Sequence, residues 1–312
     1  MLSRHNIRIK VLQTLYAYTV SDHKDSSYAE TEYLNSVHES YRLYLLNVYY
    51  LLKVADYAKT DFDIKSRKFR PTEEDKNASL KLFENPILLT IRENESFHYR
   101  VKKEKLASKI DPDLVRRLYQ NFAKQAYHQT YQEMDPVPKK EHQYCLVNLY
   151  KSMLSQEYFL DHLEDISSTS EDDQSLVFGA IKRSIRMAEE NEDFFEEQLP
   201  NDEFVHDFGK ELLYKAIQKN DEIQPMIAEK LKNWKEDRVA VMDMIMLKLG
   251  VCEFLYFSSI PTKVTINEYV GLAKDYSTDK SKRFINGILD RLMKDLIEKG
   301  RINKEGRGLK EN

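Results

Sequence analysis

The stretch Arg238–Phe257, RVAVMDMIMLKLGVCEFLYF, decides the fold. From Val239 to Tyr256 its main polar interruptions are Asp243, Lys248 and Glu253, so little of a helix's circumference is left for water. Such a helix belongs in a core and needs amphipathic helices packed around it. The composition can supply them. Hydrophobic residues make up 41% and charged residues 32% of 312 residues, with only 8 Gly and 8 Pro, which suits long helices better than a turn-rich β fold. The expected class is all-α.

Working outward, Ile260-Pro261 breaks the chain, and Thr265-Ile266-Asn267-Glu268 reads as a capping box with Val264 and Tyr269 as its hydrophobic staple. That helix is expected to reach Tyr276. A last helix starts near Ser281 with Phe284, Ile288, Leu292 and Leu296 on one face, and the tail beyond Gly300 should fray. On the other side, Glu203–Lys219 and Glu222–Asn233 read as helices. The first helix spans about Ser3–Val20, with Ile7, Val11, Leu15 and Tyr18 in one stripe. A long second helix, Tyr28–Asp56, carries Leu34, Val37, Tyr41, Leu45, Val48 and Leu52. From Thr60 to Ile110 the pattern weakens and predicts loops with one or two short helices. Asp111-Pro112 starts a helix that Pro136 and Pro138 close, and Glu141–Ile166 and Glu171–Phe195 follow, parted by the turn Ser167–Ser170.

Catalytic signatures are missing: there is no Gly-rich phosphate loop, nucleophile elbow or paired-His metal motif. The nearest metal-like pair, His142 with Cys145, lacks a further ligand, so neither metal nor cofactor is expected. Cys145 and Cys252 have apolar neighbours, as buried thiols in a reducing compartment do. Polar residues interrupt Met1–Ser21, and no run approaches the roughly 20 apolar residues of a membrane span, so a soluble cytoplasmic protein is expected. The acidic run Glu189, Glu190, Glu192, Asp193, Glu196 and Glu197 would repel itself if desolvated and reads as a solvated face.

The net charge of -4 confines any nucleic-acid site to a local patch. Two patches qualify. Arg4, His5, Arg8 and Lys10 lie in a stretch of 21 residues free of acids, and Lys280, Lys282 and Arg283 surround Ser281 at a helix start. Lys and Arg bind phosphates, and the unpaired N–H groups of a helix N-terminus face the same anion. Tyr16, Tyr18 and Phe284 offer stacking surfaces for unpaired bases. Taken alone, short basic runs usually do no more than solvate a helix, and Arg4 and Arg8 share a face with Val11 and Leu15. Spacing by itself gives a helical protein without an assigned function.

Resemblance goes further. KVTINEYVGLAK at Lys263–Lys274 and SKRFINGILD at Ser281–Asp290 closely resemble the C-terminal signature of the NusB family of transcription antitermination factors. The segment from Trp234 to Pro261, with Arg238 and Glu253–Tyr256, is similar to that family's central helix, and Arg8–Tyr16 to its first. The resemblance implies an all-α helical bundle, a C-terminal core packed on the first helix, and a large helical insertion. It divides the chain into 1–21, the first helix; 22–200, the insertion; 201–300, the C-terminal core; and 301–312, a flexible tail. It also implies a non-catalytic protein that binds a short single-stranded boxA-like RNA together with a NusE-type small-subunit ribosomal protein. Through them it would act on the RNA polymerase elongation complex in ribosomal RNA operons. The implied RNA contacts are Arg4, His5, Arg8, Lys10, Gln13, Tyr16, Lys280, Ser281, Lys282, Arg283, Phe284 and Asn286, both clusters meeting on one face. The implied partner contacts are Glu253, Tyr256 and Glu268. Where family members often carry an acidic residue before the Ser, this chain has Lys280. The alternative is a non-catalytic protein-binding scaffold using the inserted helices. An RNA-modifying enzyme with a NusB-like domain ranks third, since no cofactor-binding region follows.

Overall fold

The computed structural model describes residues 1–22, 25–76, 78–188, 195–231, 239–278 and 280–309. The described residues form helices and turns, with no strand. Two compact units emerge, one of Leu2–Val37 with Pro200–Asn312, the other of His38–Leu199 with Met1. Among the described residues no helix is long and apolar enough to cross a membrane.

In the first of these units α1 spans Arg4–Val20. Ser3 caps it by accepting from the Asn6 N–H, while the Asn6 side chain accepts from the Ser3 N–H at 3.1 Å. The helix α2, Ser26–Ser66, begins here and runs on into the other unit. Its apolar period ends near Asp56, yet no Gly or Pro stops it, and the i,i+4 pairs Lys59–Asp63 and Lys65–Asp61 lace its last turns.

The second unit continues with α3 (Glu73–Lys76), α4 (Pro86–Glu93), α5 (Glu95–Lys103), α6 (Pro112–Ala123), α7 (Ala126–Glu133), α8 (Lys139–Leu154), α9 (Glu157–Ile166) and α10 (Ser170–Met187). Asn85 caps α4 through the Ile87 N–H, with Pro86 in the first turn, and Asn94 caps α5 through the Phe97 N–H. Asp111 caps α6 as its sequence suggests. Two expected helices are each broken in two. Gln125, whose side chain donates to Ser152 at 2.7 Å, separates α6 from α7, and extended Gln156, held by Asn121 at 2.9 Å, separates α8 from α9. The core is rich in tyrosine, and Tyr44, Tyr50 and Tyr150 bury their rings while their hydroxyls find Ser184, His162 and Asn47. Of the acidic run, Glu196 accepts from Arg100 Nη2 through both carboxylate oxygens, at 2.6 and 2.7 Å, rather than facing water alone, and residues 189–194 lie outside the described residues.

Pro200 onward returns to the first unit. A π-helical turn, Glu203–Lys210, leads into α11 (Glu211–Gln218) and α12 (Asn220–Lys230). Then come α13 (Val241–Tyr256), α14 (Thr262–Tyr276) and α15 (Ser281–Glu298). Trp234 and Arg238 lie outside the described residues. As its sequence requires, α13 is buried from Ile245 through Phe254 except at Lys248. At Gly250 an added Cβ would stand 2.7 Å from Leu289 Cδ2, so the glycine lets α15 pack close.

The capping box at Thr265–Glu268 is not formed. The helix already begins at Thr262 on Pro261, and the Thr265 N–H bonds back to the Pro261 carbonyl at 3.1 Å as an interior residue does. Val264, the expected staple, is exposed. Residues 301–309, which composition alone would leave frayed, are tied down. Lys304 Nζ donates to the Glu253 and Phe257 carbonyls at 3.0 and 2.9 Å, neutralising the C-terminal end of α13.

Candidate nucleic-acid interface

Two carboxylates inside an apolar helix must find partners or carry a large desolvation cost. Glu253 finds them in two other helices. Arg8 of α1 donates through Nε at 2.7 Å and Nη2 at 2.9 Å, a bidentate pair, while Thr265 Oγ1 and the Tyr269 hydroxyl of α14 donate at 3.0 and 2.7 Å. Glu253 is 0% exposed. Burial pulls the Arg8 guanidinium down, but the Glu253 carboxylate outweighs it and holds Arg8 above its ordinary value, fully charged. Burial first and Glu253 second push the Tyr269 hydroxyl up, so it stays a protonated donor. Phe208 covers the Arg8 guanidinium with its ring 5.1 Å away.

Asp243, in the first turn of α13, does the same for the turn between α14 and α15. Ser277 Oγ donates to one carboxylate oxygen at 2.6 Å and Ser281 Oγ to the other at 2.8 Å, and Thr278 and Ser277 both lie 2.9 Å from Ser281 Oγ. This net fixes where α15 begins. Asp243 and Glu253 are ten residues apart, so the two anchor points lie about 15 Å apart along the helix axis.

The side chains expected at an RNA face therefore separate into inward and outward sets. Arg8, Lys10 and Ser281 are buried, which removes them from direct contact with a ligand. Arg8 and Lys10 fall on the stripe of Ile7, Val11 and Thr14. Glu253 is likewise removed from the partner surface, because it lies wholly inside the ion-pair cluster. His5 and Arg4 reach the surface but are engaged, His5 Nδ1 with Glu268 at 2.7 Å and Arg4 with Glu203 at 2.8 Å. Gln13 and Phe284 are half-buried, and Tyr16 is exposed. The Tyr256 hydroxyl donates to Glu222 at 3.2 Å, and Glu268 also stands 3.4 Å from Arg8. Lys280, Lys282, Arg283 and Asn286 are exposed, and among the described residues no carboxylate pairs with the three cations.

Sequence reasoning missed Asp243, Ser277, Thr265 and Tyr269 as the framework of this region. The signal was available in part: a carboxylate in an apolar helix announces a buried acceptor. Which hydroxyls and which cation answer it depends on helices far away in the chain. His142, the residue of the metal-like pair, turns its Nδ1 to the Tyr131 hydroxyl at 2.9 Å.

Residues 153–294 match the family model described as the NusB family. That match starts within α8, inside the stretch read as an insertion, and does not include α1. A transcription antitermination protein NusB from Salinibacter ruber is 36% identical over 111 residues, 36% of this chain and 69% of that protein. One from Bacillus pumilus is 39% identical over 89 residues, 28% of this chain and 68% of its own length. One from Chloroherpeton thalassium is 41% identical over 103 residues, 33% of this chain but 49% of the relative. The chain thus spans between about half and two thirds of the curated relatives it matches. No solved structure matches. With its all-helical architecture, its matching α13–α15 segment and relatives 36% and 39% identical to it over 69% and 68% of their own length, the chain belongs to the NusB family.

Proposed function

We propose that this protein is an RNA-binding transcription antitermination factor, and that its RNA contact is centred on the start of α15. One observation carries the reading: Lys280, Lys282 and Arg283 stand exposed, with no carboxylate partner among the described residues, at a helix N-terminus that the buried Asp243 holds in place. Cations and unpaired backbone N–H groups there attract the same phosphate. Asn286, one turn further on, faces solvent beside them and can read a base edge, and Tyr16 offers a ring for stacking. The names of the relatives support the antitermination role.

The RNA is a single-stranded boxA-like element in ribosomal RNA operons, and a NusE-type ribosomal protein binds with it. The partner docks on the outer side of α14, where Lys263, Val264 and Asn267 are exposed and Glu268 is half-buried, and near Tyr256. Binding of RNA and partner is mutually favourable, by the same factor in either order. The test is a titration of a labelled boxA-like RNA with and without saturating NusE-type protein, repeated with Lys282→Glu/Arg283→Glu. Tighter binding with the partner, and at least tenfold weaker binding by the double variant, are expected. Equal affinities with and without partner overturn the coupled complex and favour the scaffold reading. An unchanged double variant removes α15 from the interface.

A further inference from the structure

A second strongly positive surface lies in the unit His38–Leu199, on helices that the proposed function does not use. Between α8 and α10 runs an open groove of about 390 Å³, lined by Gln143, Tyr144, Asn148, Lys151, Gly179, Lys182, Arg183 and Arg186 together with Val147 and Ile185. Four of its residues are cations, and among the described residues no carboxylate lines it. Lys151, Lys182, Arg183 and Arg186 are all exposed, and none is paired with an acid among the described residues. Other cations of this unit, among them Lys59, Lys68, Arg92 and Arg100, each meet an aspartate or glutamate. What sets the groove apart is that four cations converge there with no acid paired to them among the described residues, a local positive patch suited to an anion.

Two further features favour a nucleic acid over an acidic protein. Tyr144 is 54% exposed at the rim, a large ring with no packing partner over half its surface. An acidic peptide needs only the cations, whereas a nucleic-acid base needs a flat apolar face. The second feature is Gly179. Glycine inside an exposed helix costs about 0.5–1 kcal/mol relative to alanine, and here nothing in the fold asks for it. A Cβ built at Gly179 meets no atom within 4 Å. The missing side chain therefore leaves the groove floor bare, one turn from Lys182 and two from Arg186, so a ligand can lie against the helix backbone. Lys182 and Arg186 are one helical turn apart, about 6 Å along the axis.

We propose that the groove between α8 and α10 is a binding site for single-stranded RNA, in which Lys151, Lys182, Arg183 and Arg186 hold successive phosphates over Gly179 and Tyr144 stacks on a base. It shares no residue with the α15 surface and stands or falls independently of it.

The experiment uses the full chain and a fluorescein-labelled, unstructured twelve-nucleotide oligouridine, followed by anisotropy across a salt series. Lys182→Gln with Arg186→Gln removes two phosphate contacts and should lower the salt slope of log affinity by about 1.4. Gly179→Glu places a carboxylate on the floor without a steric clash and should weaken binding at least tenfold, while Gly179→Ala keeps binding within about twofold. Tyr144→Ala should cost roughly 5- to 150-fold, and Tyr144→Phe should restore most of it. Far-UV circular dichroism establishes that each variant is folded, as expected for exposed positions. An unchanged slope in the double variant overturns the proposal. So does a Tyr144→Ala protein that binds as wild type, or polyglutamate that competes as well as oligouridine at equal charge; the groove would then serve an acidic protein. Lys282→Glu/Arg283→Glu, measured in parallel, separates the two surfaces. Loss there without loss in the groove variants leaves the α15 reading intact and removes this one, and the reverse removes the α15 reading alone.

Discussion

At the scale of single residues, each buried charge depends on the partner that has replaced its water. Removing one member of the Arg8–Glu253 pair leaves the other charged and dry, a loss that typically costs about 3–5 kcal/mol. Glu253→Ala should lose that much in urea unfolding, and Glu268→Ala, whose pairs with His5 and Arg8 lie at a half-exposed position, less than about 1 kcal/mol. A Glu253→Ala protein as stable as wild type would show that the cluster does not anchor α1. His128 gives a pH signature. Burial first, and then Lys65, hold its imidazole down at about 4, and its Nδ1 has no hydrogen-bond partner among the described residues. Because the folded state binds this proton more weakly than the unfolded state does, the unfolded form gains protons as pH falls from about 6.5 to about 4, and stability falls with it. Across that window His128 alone should remove up to ~3 kcal/mol, and His128→Phe should flatten this part of the curve. Unfolding free energies measured at pH 7 and pH 4.5 for both proteins decide it.

At the scale of elements, the start of α15 depends on a carboxylate that never reaches the surface. Asp243→Ala leaves Ser277 and Ser281 without their acceptor, at a cost of about 1–3 kcal/mol. It should also weaken binding of the boxA-like RNA, because Lys282 and Arg283 lose their fixed position while keeping their charge. Full RNA affinity in a destabilised Asp243→Ala protein would show that the turn does not position these cations. The capping of α6 is a simpler case: Asp111→Ala should cost about 0.5–2 kcal/mol by thermal unfolding, since Asp111 satisfies two backbone N–H groups.

At the scale of the molecule, a net charge of -4 confines the proposed polyanion binding to local clusters of cations. Neutralising Lys280, Lys282 and Arg283 together should lower the salt slope for single-stranded RNA by about 2, at roughly 0.7 per contact. Arg8→Ala, in contrast, should act on stability and leave the slope nearly unchanged, because Arg8 has its counter-charge inside the protein. Comparing the two slopes in one salt series separates a phosphate contact from an internal anchor.

What the sequence determined by itself follows from local physics. The apolar run of α13, the cap at Asp111, the stripe of α1 and the break at Pro261 act over a few residues, and each could be read there. The signatures at Lys263–Lys274 and Ser281–Asp290 were legible too, and so was the family. Burial and partnership were not. Arg4 and Arg8 lie one turn apart in the same basic cluster, yet one meets Glu203 at the surface and the other Glu253 in the core, because the helices that supply those acids arrive from some 200 residues away. Thr265 has the right neighbours for a cap but sits inside a helix that begins three residues earlier, where Pro261 and buried Thr262 set the start. The breaks at Gln125 and Gln156 rest on Ser152 and Asn121, contacts no local window contains. Charge and periodicity are properties of a segment, but desolvation depends on what packs against it, and only the tertiary structure decides which carboxylate meets which cation.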